Sequence, residues 1–361
     1  MSFDVVIIGG GLYGTVNAYL LAQKKLKVLL LEKHKIGTSG ATSYSQGIVR
    51  VYDPDPDLRE ISFLGANKFI NWEKNNYPGK TPYTKVGFLY LLNKSKSRLA
   101  LDFIDKYNCK EYPIGLLKSL QIKKKFPFIK ETDSKIGIYE KYGGFGNPTD
   151  TALKFSMGFK ELGGTIYENC EINNDMISQT QKGWNIKLLD TLIQSKAILF
   201  TVGAFIKDFF ADLSSFTRTI TLAQYNNLNY SKYPINISVV DEEIETYIRP
   251  LNHKSFYSGS QVFEEISTPR FIQNKQSSEY KDANARLFNL LNNKLKIYNY
   301  FKGYDSYTKE KRPIIGFLKN GLYVATGFSG RGYKYSISLS EKITTEIVEY
   351  LKTGYQKSII K

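Results

Sequence analysis

Phe3-Asp4-Val5-Val6-Ile7-Ile8-Gly9-Gly10-Gly11-Leu12-Tyr13-Gly14 opens the chain, and its reading decides the fold. The apolar, β-branched run reads as a buried strand. Gly9, Gly11 and Gly14 then form G-x-G-x-x-G. Gly9 permits the tight strand-to-helix turn, Gly11 lets the backbone approach a pyrophosphate, and Gly14 lets helix and strand pack closely. Val16, Leu20 and Leu21 recur on one face of the helix that follows, and Lys27 to Leu31 form a second apolar strand ending at Glu32. The helix N-terminus offers free N–H groups and a positive dipole end to phosphate. Glu32 is placed to accept both ribose hydroxyls, and its charge would repel a 2′-phosphate. Leu12 and Tyr13 in the turn and Lys33 beyond the acid join the same candidate site. Such a unit at the start of a chain serves FAD or NAD(H), against the alternative of a glycine turn in an unrelated α/β protein.

The 361 residues suit one large or two moderate domains. Hydrophobic residues at 42% and aromatics at 14% exclude a disordered or fibrous chain. Fifty Lys+Arg against 34 Asp+Glu leave +16, a balance that attracts nucleic acid, acidic lipid and phosphorylated or carboxylate substrates alike. Runs such as Lys123-Lys124-Lys125 also read as an ordinary solvated face. Cys109 and Cys170 cannot build a disulfide framework, and no C-x-x-C is present. With only His34 and His253, no metal centre is expected. No apolar run is long enough to span a membrane. The apolar start runs into glycines instead of a cleavable signal, so a reducing cytoplasm is expected.

Four later segments carry a resemblance. Gly37-Thr38-Ser39-Gly40-Ala41-Thr42-Ser43-Tyr44-Ser45-Gln46-Gly47-Ile48-Val49-Arg50 resembles the serine-rich loop and following strand of the D-amino-acid oxidase superfamily of flavoproteins. The closest likeness is to its monomeric sarcosine oxidase and glycine oxidase branch. Gly143 to Pro148 with Ala152 and Leu153, Ala197 to Phe200 with Thr201-Val202-Gly203-Ala204, and Pro313 to Gly316 with Leu322 to Lys334 follow in that family's order. The resemblance spans nearly the whole chain. It implies an α/β fold: a Rossmann-like FAD-binding domain (GR2-type) interleaved with a mixed-sheet α+β substrate domain. The cofactor domain would take residues 1–82, 143–215 and 307–361, and the substrate domain 83–142 and 216–306. It also implies FAD contacts from Ser43, Tyr44, Ser45, Gln46, Gly47 and Gly203. Further contacts would come from the loop Gly327, Ser329, Gly330, Arg331, Gly332, Tyr333 and Lys334, which runs into a helix around Ser340 to Leu351.

By motif position, Arg50 and Lys334 match the family's clamp for a substrate carboxylate, with a surface or phosphate-facing cation as the alternative for each. Tyr247, in the predicted strand Glu245 to Pro250 with Arg249 on the same face, is either a pocket wall and carboxylate donor or simple packing. Three departures stand beside these matches. Asp305 aligns where the sarcosine enzymes carry a flavin-bonding cysteine and glycine oxidases an arginine, so FAD is expected to be noncovalent. A buried Asp305 needs a partner, either Arg312 or a cationic amine of a basic substrate. Ser255 to Tyr257 fall where an oxygen-activating lysine is expected, with His253 and Lys254 nearby as substitutes. Gly47 replaces an arginine. The implied activity is FAD-dependent oxidation of the C–N bond of an amino acid or N-substituted amino acid to an imine. The electrons would pass to O₂, giving H₂O₂, or to another acceptor. The alternative is the same chemistry on an amino-acid-like adduct of a macromolecule such as tRNA or DNA, for which the net charge would suit electrostatic binding.

Overall fold

Val5, Val6 and Ile7 are wholly buried, as are Leu29 and Leu30, because these strands have helices or packed loops on both faces. In the computed structural model, which describes residues 1–269 and 278–356, they form the centre of an eight-stranded sheet. Five strands run parallel in the order Thr165–Tyr167, Val28–Leu31, Ser2–Ile8, Leu192–Phe200 and Leu322–Thr326. The hairpin Ile177–Thr180 with Gly183–Lys187 pairs antiparallel to the first half of Leu192–Phe200. Ile314–Lys319 pairs antiparallel with Leu322–Thr326. The helices Leu12–Gln23, Pro148–Glu161 and Gly332–Thr353 pack together over this sheet. Asn17 Nδ2 ties the first to the last by donating to Ser340 Oγ at 2.9 Å.

The carboxy-terminal helix starts at Gly332, well before the expected Ser340. Every residue from Tyr333 to Ser340 is buried, so the opening turns carry no amphipathic stripe for a sequence reading to detect. Its end is marked by Gly354, in the left-handed conformation at φ 72°.

A second, nine-stranded sheet is mixed. Strand Phe216–Asn227 pairs with Leu295–Tyr307 on one side and with Ser255–Gly259 and Glu265–Ile266 on the other. The sheet continues through Thr246–Asn252 and Ser238–Asp241 to Phe88–Asn93, Lys135–Glu140 and Ile114–Lys118. Among the described residues, only the junction of Ser238–Asp241 with Phe88–Asn93 is parallel. It is also where the two chain segments that build the sheet meet. A three-stranded sheet of Ile48–Val49, Gly144–Gly146 and Tyr83–Lys85 links the layers and places Arg50 at their junction. No helix among the described residues is long and apolar enough to cross a membrane.

Candidate active site

The turn after the first strand has the geometry its glycines require. Gly9 sits at φ 107°, and a Cβ there would lie 2.6 Å from the Thr201 carbonyl oxygen. A Cβ on Gly14 would lie 1.8 Å from the Gly9 oxygen, so helix and strand touch backbone to backbone. Glu32 is buried at the tip of the second strand. Its Oε2 accepts from Gly10 N at 2.5 Å and its Oε1 from His34 N at 2.7 Å, which fixes the carboxylate beside the turn. Lys33 follows, paired with Glu171 at 2.7 Å.

From this cradle a single cavity of about 820 Å³ runs to the second sheet. At one end it is lined by Gly9, Gly11, Leu12, Tyr13, Glu32, Lys33 and Gly203. Its middle is lined by Tyr44, Ser45, Gln46 and Gly47, with Asp305, Ser329, Gly330, Arg331, Gly332, Tyr333 and Lys334. At the far end stand Arg50, Tyr247 and Arg218. Three expected residues lie off it. Gly14 permits close backbone approach, and Gly327 takes the left-handed conformation at φ 71° against the Thr308 methyl. Ser43 is exposed, and its hydroxyl donates to the Gly40 carbonyl within the short helix Gly40–Tyr44, because at that point of the helix it faces away from the cavity. Thr42 lines the cavity instead and accepts from Leu12 N at 3.0 Å. Tyr13 stacks on Phe328, rings 3.8 Å apart, and donates to the Gly332 carbonyl at 2.8 Å, so the two glycine-rich turns are joined.

Arg50 and Lys334, 284 residues apart in sequence, both line the cavity and are both buried. Arg50 lays its guanidinium over Tyr90 and Phe88, and its buried Nη1 has no hydrogen-bond partner among the described residues. Lys334 Nζ donates to Asp53 Oδ2 at 2.7 Å. Burial first and the nearby Arg50 second pull the Lys334 ammonium down to about 7, with Asp53 opposing them. Asp53 escaped the sequence reading although it lies three residues beyond Arg50. It follows Val51-Tyr52 and opens the run Asp53-Pro54-Asp55-Pro56, which reads as an ordinary polar turn.

Tyr247 lines the cavity, and burial raises its hydroxyl well above the ordinary range. The facing Gly259 leaves it room, since a Cβ there would meet Tyr247 Oη at 2.9 Å. Arg249 shares that face of the strand but stacks on Phe145, 3.7 Å from the ring centre, behind the cavity wall.

Two expectations are corrected. Arg312 is not the partner of Asp305. It bridges Asp55 at 2.6 Å and Asp57 at 2.7 Å on the exposed surface. Asp305, half-buried with its free edge on the cavity, accepts from Ser306 N at 2.7 Å and Gly330 N at 2.9 Å. Two backbone amides therefore satisfy it, and neither a basic nor a diamino substrate is required. Burial pushes its carboxyl up to about 6 against those two hydrogen bonds. His253 and Lys254 do not replace an oxygen-activating lysine. They sit exposed at the tip of the hairpin joining Thr246–Asn252 to Ser255–Gly259, packed on Tyr230 and off the cavity, because the strand pairing carries that turn outward. Cys170, which no motif flagged, lines the cavity near Glu32.

A dinucleotide cradle joined by one continuous cavity to a cationic chamber defines a dinucleotide-dependent oxidoreductase. The particular family is that of the FAD-dependent oxidoreductases: the DAO family model, described as "FAD dependent oxidoreductase", matches residues 4–345, and the chain belongs to it. The resemblance to the D-amino-acid oxidase superfamily, the α/β architecture and the enzyme class are thereby established. A Caenorhabditis elegans protein named "Putative sarcosine oxidase" is 25% identical over 283 residues, covering 72% of this chain and 68% of that one. N-methyl-L-tryptophan oxidase of Yersinia pestis is 19% identical over 365 residues, covering 94% of each. Among solved structures, L-proline dehydrogenase from P. horikoshii superposes with a TM-score of 0.81 at 18% identity over 99% of this chain and 94% of that one. Glycine oxidase from Geobacillus kaustophilus gives 0.80 at 18% identity over 100% and 99%. The residues present fit FAD. The Gly9 turn has no room for a side chain, Glu32 lines the cavity beside it from the tip of the second strand, and the loop Ser329 to Gly332 feeds the N-terminus of a long helix.

Proposed function

We propose that this enzyme uses noncovalently held FAD to oxidise the C–N bond of an amino acid or N-substituted amino acid to an imine, passing the electrons to O₂ as H₂O₂ or to another acceptor. The observation that carries this reading is the buried, unpartnered Nη1 of Arg50 beside Lys334, on the cavity that begins at the nucleotide cradle. Bound FAD supplies the acceptor for a hydride from the carbon next to nitrogen. Arg50 and Lys334 would hold the substrate carboxylate in charge-assisted hydrogen bonds, each of about 1.5–3 kcal/mol. Backbone N–H groups at the start of Gly332–Thr353 would stabilise negative charge developing on a flavin bound there, and the helix dipole would reinforce them. Tyr247 walls the chamber. An amine bound in its neutral form needs no dedicated base from the chain.

Asp305 supports noncovalent attachment, since a carboxylate stands where a flavin-bonding thiol would be. We assign residues 1–82, 143–215 and 307–361 to the cofactor domain and 83–142 and 216–306 to the substrate domain, a division the two large sheets support. The free thiols Cys109 and Cys170 suit a reducing cytoplasm. The test is an anaerobic panel of sarcosine, glycine, proline and N-methyl amino acids read by flavin absorbance. Bleaching by one of them is the expected result. No bleaching by any free amino acid, together with salt-sensitive retention on nucleic acid, would move the substrate onto a macromolecule.

A further inference from the structure

Asp53 takes no part in the chemistry above, yet it lies at the centre of the clamp. It has no solvent exposure and does not line the cavity, whereas Arg50, Arg331 and Lys334 all do. Its oxygens are fully engaged. Oδ2 accepts from Lys334 Nζ at 2.7 Å and Tyr335 Oη at 3.0 Å, and Oδ1 accepts from Arg331 Nη1 at 2.6 Å and Asp55 N at 3.0 Å. The carboxylate thus holds two cations from behind the wall and has no acceptor site turned toward a ligand.

Rigid backing keeps this arrangement in register. Arg59 Nε donates to the Asp53 carbonyl at 2.8 Å. Just before Asp53, Val51 N and Tyr52 N are both held by the buried Glu140 carboxylate, at 2.7 and 2.8 Å. Gly65 of the helix Arg59–Ile70 lies against the Lys334 carbonyl, where a Cβ would come within 2.0 Å. Neither Asp53 nor Lys334 can swing away without moving a packed element.

We propose that Asp53 is a positioning residue for carboxylate recognition: from behind the cavity wall it keeps Lys334 an ammonium and aims it inward, so the clamp has a guanidinium arm, Arg50, and a second arm whose charge depends on Asp53. This inference rests on the reading of Arg50 and Lys334 as the carboxylate clamp. The charged and titratable groups around Lys334 are Arg331 and Tyr335 from its own loop and helix, and Arg50, Asp53 and Arg59 from the facing segment. Asp53 is the counter-ion among them. Without it, burial and two guanidinium groups would favour the neutral amine. Burial would raise the Asp53 carboxyl, but Lys334, Arg50 and Arg331 together hold it well below the usual carboxylate range, so it stays charged throughout the working pH.

The test uses the FAD-loaded enzyme with acetate as probe and acetamide as its uncharged counterpart, read by perturbation of the flavin spectrum. In the wild type, acetate affinity should fall as pH rises between about 6 and 9, to a plateau set by Arg50, while acetamide binding stays level. In Asp53→Asn the fall should move at least one unit lower, so acetate binds about tenfold more weakly near neutrality. KM for carboxylate substrates should rise with kcat little changed, and Asp53→Glu should recover part of the loss. Lys334→Arg should flatten the wild-type profile, a measurement that decides the matter even if Asp53→Asn does not fold. Coincident acetate profiles for wild type and Asp53→Asn, or a profile that Lys334→Arg leaves unchanged, would overturn the inference alone. Absence of acetate binding in the wild type would overturn the clamp reading and this inference with it.

Discussion

The nucleotide cradle and the carboxylate clamp are built on opposite principles. The cradle comes from one contiguous stretch, Ser2 to Glu32, whose strand, turn, helix and second strand contact each other directly and whose closing acid, Glu32, bonds back to the turn at Gly10 N. The clamp is assembled from Arg50 and Asp53 on one segment and Arg331, Lys334 and Tyr335 on another, some 280 residues away. A local device fails sterically when a single atom is added. A dispersed electrostatic device keeps its shape under substitution and loses selectivity.

That contrast can be broken at either end. The largest effect is expected for Gly14→Ala, whose methyl would overlap the Gly9 carbonyl. Overpacking between two backbones costs about 1–3 kcal/mol or more, and the variant should purify without yellow colour, as absorbance will show. A fully flavinated Gly14→Ala would mean the helix sits further from the strand than described. Next come Arg50→Met and Lys334→Met. Each should lower kcat/KM for carboxylate substrates by about 10- to 150-fold, the equivalent of about 1.5–3 kcal/mol, while uncharged amines change little. Equal losses for both substrate types would show that these cations serve the fold and not the substrate.

A smaller effect is expected at Asp305. With its carboxyl pushed up to about 6 by burial, the folded chain holds that proton more readily than the unfolded chain, so the contribution of Asp305 to stability falls as pH rises through about 6. Asp305→Asn should remove that dependence, and thermal unfolding at pH 5 and 7.5 will tell. The smallest effect belongs to Arg312→Ala. This cation is exposed and bridges Asp55 and Asp57 at the surface, so its loss should shift thermal unfolding only slightly, and less still at high salt. A larger change in thermal unfolding would mean that the 308–313 loop braces the clamp.

Much of the molecule was legible in order of residues because its signals are local. Alternation and β-branching mark strands, a glycine at fixed spacing marks a turn that excludes a side chain, and an acid at a strand tip marks a ribose. The same logic explains the failures. Arg312, one of two candidate partners for Asp305, is close to it in sequence, but the chain turns between them and the guanidinium reaches Asp55 instead. His253 and Lys254 were near the expected lysine in sequence, but a two-residue hairpin faces solvent, not the cavity. Asp53 carried no periodic or motif signal at all.

From its amino acids alone this chain announces a dinucleotide cradle, the family it belongs to and two candidate cations, because each rests on short-range spacing and steric exclusion. Packing was needed to show that Asp53 stands behind those cations, that Asp305 is satisfied by backbone amides, and that Cys170 and Arg218 line the same cavity. Electrostatic partnership depends on through-space distance and burial, and neither quantity is written in residue order until the sheets and the carboxy-terminal helix have closed around the site.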